Sequence, residues 1–175
     1  MIVWLNGPFG VGKTQVALDL HTRLPGSFIF DPEEIGFALN KLTPPHKRLE
    51  DFQDYPLWRE MVYKTLLYAD SSETTLIVPM TLVTPSYFEE VIGGLRSKGA
   101  VVNHVALLAP KETILQRLKN RGDGHQSWPA AQLERCLAGL ELIAWDEQLP
   151  TEGLTVSDVA DRVAARFRLE LSTRK

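Results

Sequence analysis

The run Gly7-Pro8-Phe9-Gly10-Val11-Gly12-Lys13-Thr14 constrains this chain more than any other feature. It matches G-x-x-x-x-G-K-[ST] at every required position, directly after the apolar residues 2–5 and directly before a helical pattern at Val16, Ala17, Leu20 and Leu24. A strand that turns through glycines into a helix N-terminus aims successive backbone N–H groups at one point, which makes a nest for phosphate oxygens. In such a loop the lysine reaches the β- and γ-phosphates and the hydroxyl residue ligates Mg²⁺. The spacing therefore predicts ATP held by Gly7, Pro8, Phe9, Gly10, Val11, Gly12, Lys13 and Thr14, with Lys13 also catalytic and Thr14 the metal ligand. The competing reading is a chance match on a strand-to-helix turn, against which the flanking strand and helix both argue.

The rest of the chain supplies the fold such a loop needs. Short apolar runs at residues 2–5, 27–30, 75–78, 100–108 and 154–156 alternate with helical patterns. Strands that are apolar throughout, separated by helices, predict a three-layer α/β protein with a five-stranded parallel sheet, of the nucleotide-kinase type. Helices are expected over residues 56–70, 85–97 (Thr84 as N-cap, Pro85 first), 111–121 and 129–144, with a last one capped by Ser157. The 175 residues, 44% of them hydrophobic, fit a single domain spanning residues 1–175. A net charge of −3 argues against a general nucleic-acid binder. The single cysteine, Cys136, allows no internal disulfide and sits at helical spacing with Leu133 and Leu140, as a small core residue does. Residues 1–6 lack the features of a signal peptide and no apolar run approaches a membrane span, so a cytoplasmic location is expected.

The choice among nucleotide-binding proteins rests on what accompanies the loop. No D-x-x-G switch is present, and Asn40-Lys41-Leu42-Thr43 lacks the Asp of a guanine-binding motif. Residues 76–78 run into Pro79-Met80 instead of the acids of a large ATPase, whereas Asp31 stands at the end of residues 27–30. This favours a small-molecule kinase in which Asp31 orients or deprotonates the acceptor hydroxyl. Asp31-Pro32-Glu33-Glu34 is equally a helix start with Asp31 as cap, and one residue can do both. Residues 33–59 are the expected acceptor region, with Asp31, Glu33, Tyr55, Trp58 and Arg59 as substrate-binding candidates and His46, Lys47 and Arg48 as a solvated loop. Residues 117–128 are the expected lid, its Arg117 and Arg121 one helical turn apart and aimed at the transferring phosphoryl group. The alternative for this pair is a solvated basic helix end. His104 reads as a core histidine, His125 is assigned no role although a moving lid could bring it to the site, and Trp4, Trp128 and Trp145 read as core aromatics. Trp58 is divided between pocket and core.

Longer runs carry a resemblance. They are Trp4-Leu5-Asn6 with the loop through Gln15, Asp31-Pro32-Glu33 with Gly36-Phe37-Ala38-Leu39, and Asp51-Phe52-Gln53 with Tyr55-Pro56-Leu57-Trp58-Arg59. Ile77-Val78-Pro79-Met80-Thr81 and Lys111-Glu112-Thr113 with Arg117-Leu118 complete the set. In these the chain resembles the bacterial tunicamycin resistance protein family. The resemblance implies ATP binding and a role in resistance to tunicamycin, a lipid-tailed nucleoside antibiotic. It leaves open whether the small molecule is phosphorylated, sequestered without chemistry, or replaced by an endogenous metabolite. It also implies peripheral membrane contact through an amphipathic C-terminal helix, here bearing Arg162, Arg166 and Arg168. The favoured reading of that helix is that Val159, Val163 and Phe167 pack on the sheet.

Overall fold

The computed structural model describes residues 1–124, 127–142 and 147–173. Its core is a parallel sheet of five strands: β1 (Ile2–Asn6), β2 (Ser27–Ile29), β3 (Thr75–Pro79), β4 (Val102–Leu108) and β5 (Gln148–Pro150), in the order β2-β3-β1-β4-β5. Strand side chains alternate between faces, and β1 shows it directly. Val3 and Leu5 join the cluster with Val16, Ala17 and Leu20 of α1 (Lys13–Arg23) and Val159, Ala160 and Val163 of α9 (Val156–Phe167). Ile2 and Trp4 face the other way, against Trp58, Val62 and Leu66 of α3 (Pro56–Ala69). Helices on both faces are why the central strands are apolar at nearly every position. β1 lies between β3 and β4, with β2 and β3 on one side of it and β4 and β5 on the other, so the strand order switches direction at β1 and its carboxyl end opens onto the crevice where α/β folds place ligands.

Residues 154–156 are not the fifth strand. Thr155 caps α9 in a reciprocal box with Asp158, and that local pairing bends the segment into a helix start. The strand is Gln148–Pro150 instead, with Leu149 buried opposite Leu107. For the same reason the last helix is capped by Thr155, not Ser157. The expected helix over 85–97 begins with α4 (Pro85–Phe88), widens to a π segment at Glu89–Gly93 and continues as α5 (Gly94–Ser97). The expected helix over 129–144 is two pieces, α7 (Trp128–Ala131) and α8 (Leu133–Leu140), and positions 143–144 lie outside the described residues.

Val159, Ala160, Val163 and Ala164 of α9 pack on α1 and the sheet, with Phe167 partly buried against them. Among the described residues, no helix is long and apolar enough to cross a membrane. Trp4 and Cys136 are buried as expected. Trp128 is not a core residue: it is exposed and meets Phe9 edge to face at 5.0 Å between ring centroids. Trp145 and His125 lie outside the described residues.

Candidate functional site

The loop between β1 and α1 has a shape that only its glycines permit. Gly7 has φ +138°, and a Cβ there would stand 2.6 Å from the Leu107 carbonyl oxygen. Gly10 has φ +83° and lies under Leu118 of α6 (Lys111–Arg121), whose Cγ would be 2.7 Å from an added Cβ. Gly12, left-handed at φ +109°, turns the chain into α1. The N–H groups of Lys13 and Thr14 open that helix and have no intrahelical acceptor.

Lys13 is buried beside Phe9, its ammonium 5.4 Å from the ring centroid. Nζ donates to the carbonyls of Gly7 at 2.9 Å and Pro8 at 3.0 Å. Burial disfavours the charged form and brings its pKa down from 10.5 to about 8. An ammonium held against neutral carbonyls with no anion bonded to it is a group prepared for an anionic ligand.

A cavity of about 450 Å³ opens over the loop. Asp31, Glu33, Arg117 and Arg121 line it together with residues 9–16, and Thr14 is exposed within it. Its remaining wall includes Thr151, Leu154, Val156 and Val159. Asp31 caps α2 (Pro32–Leu42), its Oδ1 accepting from the Glu33 N–H at 2.9 Å, so it is a helix cap and a cavity residue at once. Burial, then the neighbouring Asp31, raises the Glu33 carboxyl above its ordinary value, and Lys13 and Arg121 partly offset this.

The two arginines differ. Arg117 is tied to the loop: Nη1 donates to the Val11 carbonyl at 3.0 Å, and both Nη atoms stand 3.5 Å from Thr151 oxygens. Its guanidinium is thus held against the loop backbone. Arg121 points more outward, paired with Asp123 at 2.6 Å with 59% of its side chain exposed. Residues 117–121 of the expected lid are thus the end of a helix packed on the loop through Ile114 and Leu118.

The acceptor candidates divide as well. Asp31 and Glu33 reach the cavity, whereas Tyr55, Trp58 and Arg59 are not among its lining residues. Trp58 is fully buried and donates Nε1–H to the Pro32 carbonyl at 2.9 Å. Arg59 lies under the Tyr87 ring at 4.0 Å and bonds Glu90 at 2.5 Å. Tyr55 donates to Asn40 at 2.9 Å and accepts from the Leu49 N–H. Their polar groups brace α2 and α3. His46 and Lys47 lie in a 3-10 turn (Pro45–Lys47) and Arg48 follows it, all three exposed.

Sequence reasoning missed the residues that hold the loop from beneath. Thr81 Oγ1 donates to the Gly7 carbonyl at 2.8 Å, Asn6 accepts from the Gly7 N–H at 2.8 Å, and Thr151 anchors Arg117. Nothing in the sequence Ile77-Val78-Pro79-Met80-Thr81 marks Thr81 as a neighbour of Gly7. That pairing arises only from β1 lying beside β3.

The cavity can receive a magnesium–triphosphate on these terms. The loop offers N–H groups and a desolvated ammonium to the phosphates, and Thr14 offers a hydroxyl to the metal. Among the described residues there is no group of three or more His, Cys, Asp or Glu that could hold a metal ion.

The protein-family model described as an AAA domain matches residues 2–143. Among curated proteins no significant match is found. The solved tunicamycin resistance protein of Deinococcus radiodurans is 35% identical, with 99% of this chain and 98% of that chain covered and a TM-score of 0.82. A gluconokinase from Sinorhizobium meliloti (15% identical, 95% and 90% covered, TM-score 0.64) shares the fold. So does the APS kinase of Mycobacterium tuberculosis (15% identical, 95% and 96% covered, TM-score 0.64).

Proposed function

We propose, from the fact that this chain belongs to the AAA-domain family and to the tunicamycin resistance proteins, that it is an ATP-dependent phosphotransferase acting on a nucleoside antibiotic of the tunicamycin kind in the cytoplasm. One observation carries the reading: the phosphate loop, two carboxylates and two arginines converge on a single cavity.

In this account the triphosphate lies along residues 7–14, with Lys13 on the β- and γ-phosphates. Magnesium, when bound, neutralises phosphate charge, and Thr14 is its protein ligand. The nucleobase rests against Leu154, Val156 and Val159, with Arg117 and Thr151 above it. The acceptor enters beside Asp31 and Glu33. Asp31, fixed by its cap bond, takes the proton of the acceptor hydroxyl while that oxygen bonds the γ-phosphorus. The bond from the γ-phosphorus to the β–γ bridging oxygen breaks, and ADP leaves with its electron pair. Arg121, free to turn inward from Asp123, meets charge on the phosphoryl oxygens in the transition state.

The test is ADP release, followed continuously, with tunicamycin and simpler nucleosides as acceptors. The account expects acceptor-dependent turnover that falls about 10²–10⁴-fold in Asp31→Asn, since Asn caps a helix about as well as Asp but cannot take a proton. ATP-dependent binding of the antibiotic with no ADP formed would replace this reading with sequestration.

A further inference from the structure

Asn6, the last residue of β1, has an amide whose orientation is fixed by the backbone. Its Oδ1 accepts from the Gly7 N–H at 2.8 Å and the Leu82 N–H at 2.9 Å, while Nδ2 donates to the Leu82 carbonyl at 2.7 Å. Turned over, the NH₂ would face two N–H groups and the oxygen would face a carbonyl. The other Nδ2 hydrogen is therefore directed at His104 Nε2, 3.1 Å away.

A donor aimed at an imidazole nitrogen requires a lone pair there, so the ring proton is on Nδ1. Glu147 Oε2 lies 2.6 Å from Nδ1 and accepts it. The hydrogen bond from His104 is the leading reason the Glu147 carboxyl titrates below its ordinary value, and Arg96 adds to it at 3.5 Å. The His104 side chain is fully buried, and Phe88 meets it edge-on at 4.9 Å between centroids. These groups come from β1, β4, α4, α5 and the residue just before β5, and they meet nowhere in the sequence.

We propose that His104, as its Nδ1–H tautomer, is a positioning residue for the phosphate loop: its Nε2 lone pair takes the remaining Nδ2 hydrogen of Asn6 and so keeps that amide seated between Gly7 and Leu82. An Nε2–H on that ring, in the other tautomer or in the imidazolium, sets two donors against each other 3.1 Å apart and pushes the Asn6 amide off its backbone partners. The Gly7 N–H and the Leu82 backbone then lose their partners together. Gly7 is a sensitive place for this, because its carbonyl also accepts from Lys13 Nζ and Thr81 Oγ1. The inference rests on the reading of residues 7–14 as a nucleotide cradle.

The experiment has two arms on the full chain. In the first, long-range ¹⁵N–¹H NMR at pH 8 without nucleotide reports the His104 tautomer. The expected result is an Nδ1–H neutral ring, and an Nε2–H ring or an imidazolium overturns the proposal. In the second, calorimetry measures Mg·ATP affinity in His104→Leu and His104→Gln. The glutamine side-chain oxygen reaches the position of Nε2 and accepts from Asn6, whereas leucine leaves that donor buried and unpaired. The Leu variant should bind about tenfold more weakly and the Gln variant within about twofold of wild type. Wild-type affinity in a folded Leu variant, or a Gln variant no better than Leu, overturns the proposal. If the Leu variant does not fold, the Gln variant and the tautomer decide. Failure of the cradle itself is distinguished by Lys13→Met, which would then bind Mg·ATP normally whatever the tautomer is.

Discussion

Lys13 makes Mg·ATP binding a proton-uptake reaction above neutral pH. Its ammonium is buried against two carbonyls, and desolvation brings the pKa from 10.5 to about 8. That shift corresponds to about 3 kcal/mol between the two protonation states. In the free protein the ionised form predominates only below about pH 8. Between that value and 10.5 the unfolded chain holds the proton that the folded chain has released, so this group adds stability as pH rises through the window. A triphosphate supplies the missing anion and returns the ammonium to its ordinary range. With a free-state pKa of about 8, Lys13 is about 90% charged at pH 7 and about 10% charged at pH 9. Binding should then take up about 0.1 proton at pH 7 and about 0.9 at pH 9, and affinity should weaken about tenfold between them. The assay is titration calorimetry at both pH values in two amine buffers of different ionisation enthalpy, with Lys13→Met as the control without uptake. Uptake near zero at pH 9, with affinity equal to that at pH 7, would refute the reasoning.

Other consequences can be checked with the same protein. Glu33 is raised by burial and by Asp31, so the folded state binds more protons than the unfolded state from about 4.5 upward until the raised value is passed, and stability falls through that window. Glu33→Gln should therefore melt higher than wild type at pH 7.5 but not at pH 4, and an equal difference at both would contradict this. Arg117→Ala should weaken ATP binding even without acceptor, because it loses the contacts to Val11 and Thr151. Arg121→Ala should lower kcat more than affinity, and single-turnover rates compared with equilibrium binding separate the two. Trp58→Ala should cost about 3–5 kcal/mol in urea unfolding. Trp58→Phe, which keeps the ring and loses the bond to Pro32, should retain the thermal shift produced by ligand, and loss of that shift would return Trp58 to the pocket.

The loop was legible because its chemistry is local: eight consecutive residues carry the glycines, the lysine and the hydroxyl, and the strand and helix beside them are strongly patterned. The parallel sheet was legible for a related reason, since strands covered on both faces are apolar throughout. The misplacement at residues 154–156 shows where local reading fails. Leu154-Thr155-Val156 has strand composition, but the Thr155–Asp158 box decides the backbone. Tyr55, Trp58 and Arg59 have the mixture of groups a pocket needs, and that is also the mixture needed to brace two helices through the Pro32, Asn40 and Gln53 backbone or side chains. Asn6, Thr81, His104 and Thr151 were silent because their roles come from strand register and crossovers, such as Trp4 opposite His104 and Leu5 opposite Pro79.

The most direct test of phosphoryl transfer follows the phosphorus itself. ATP carrying ¹⁸O in its γ-phosphoryl group is incubated with Mg²⁺, protein and tunicamycin, and the antibiotic is recovered for mass spectrometry. The account predicts a labelled phosphomonoester of the antibiotic, formed one for one with ADP and absent with Asp31→Asn and Lys13→Met. Antibiotic recovered unmodified, from a protein shown to bind both it and Mg·ATP, would contradict the account.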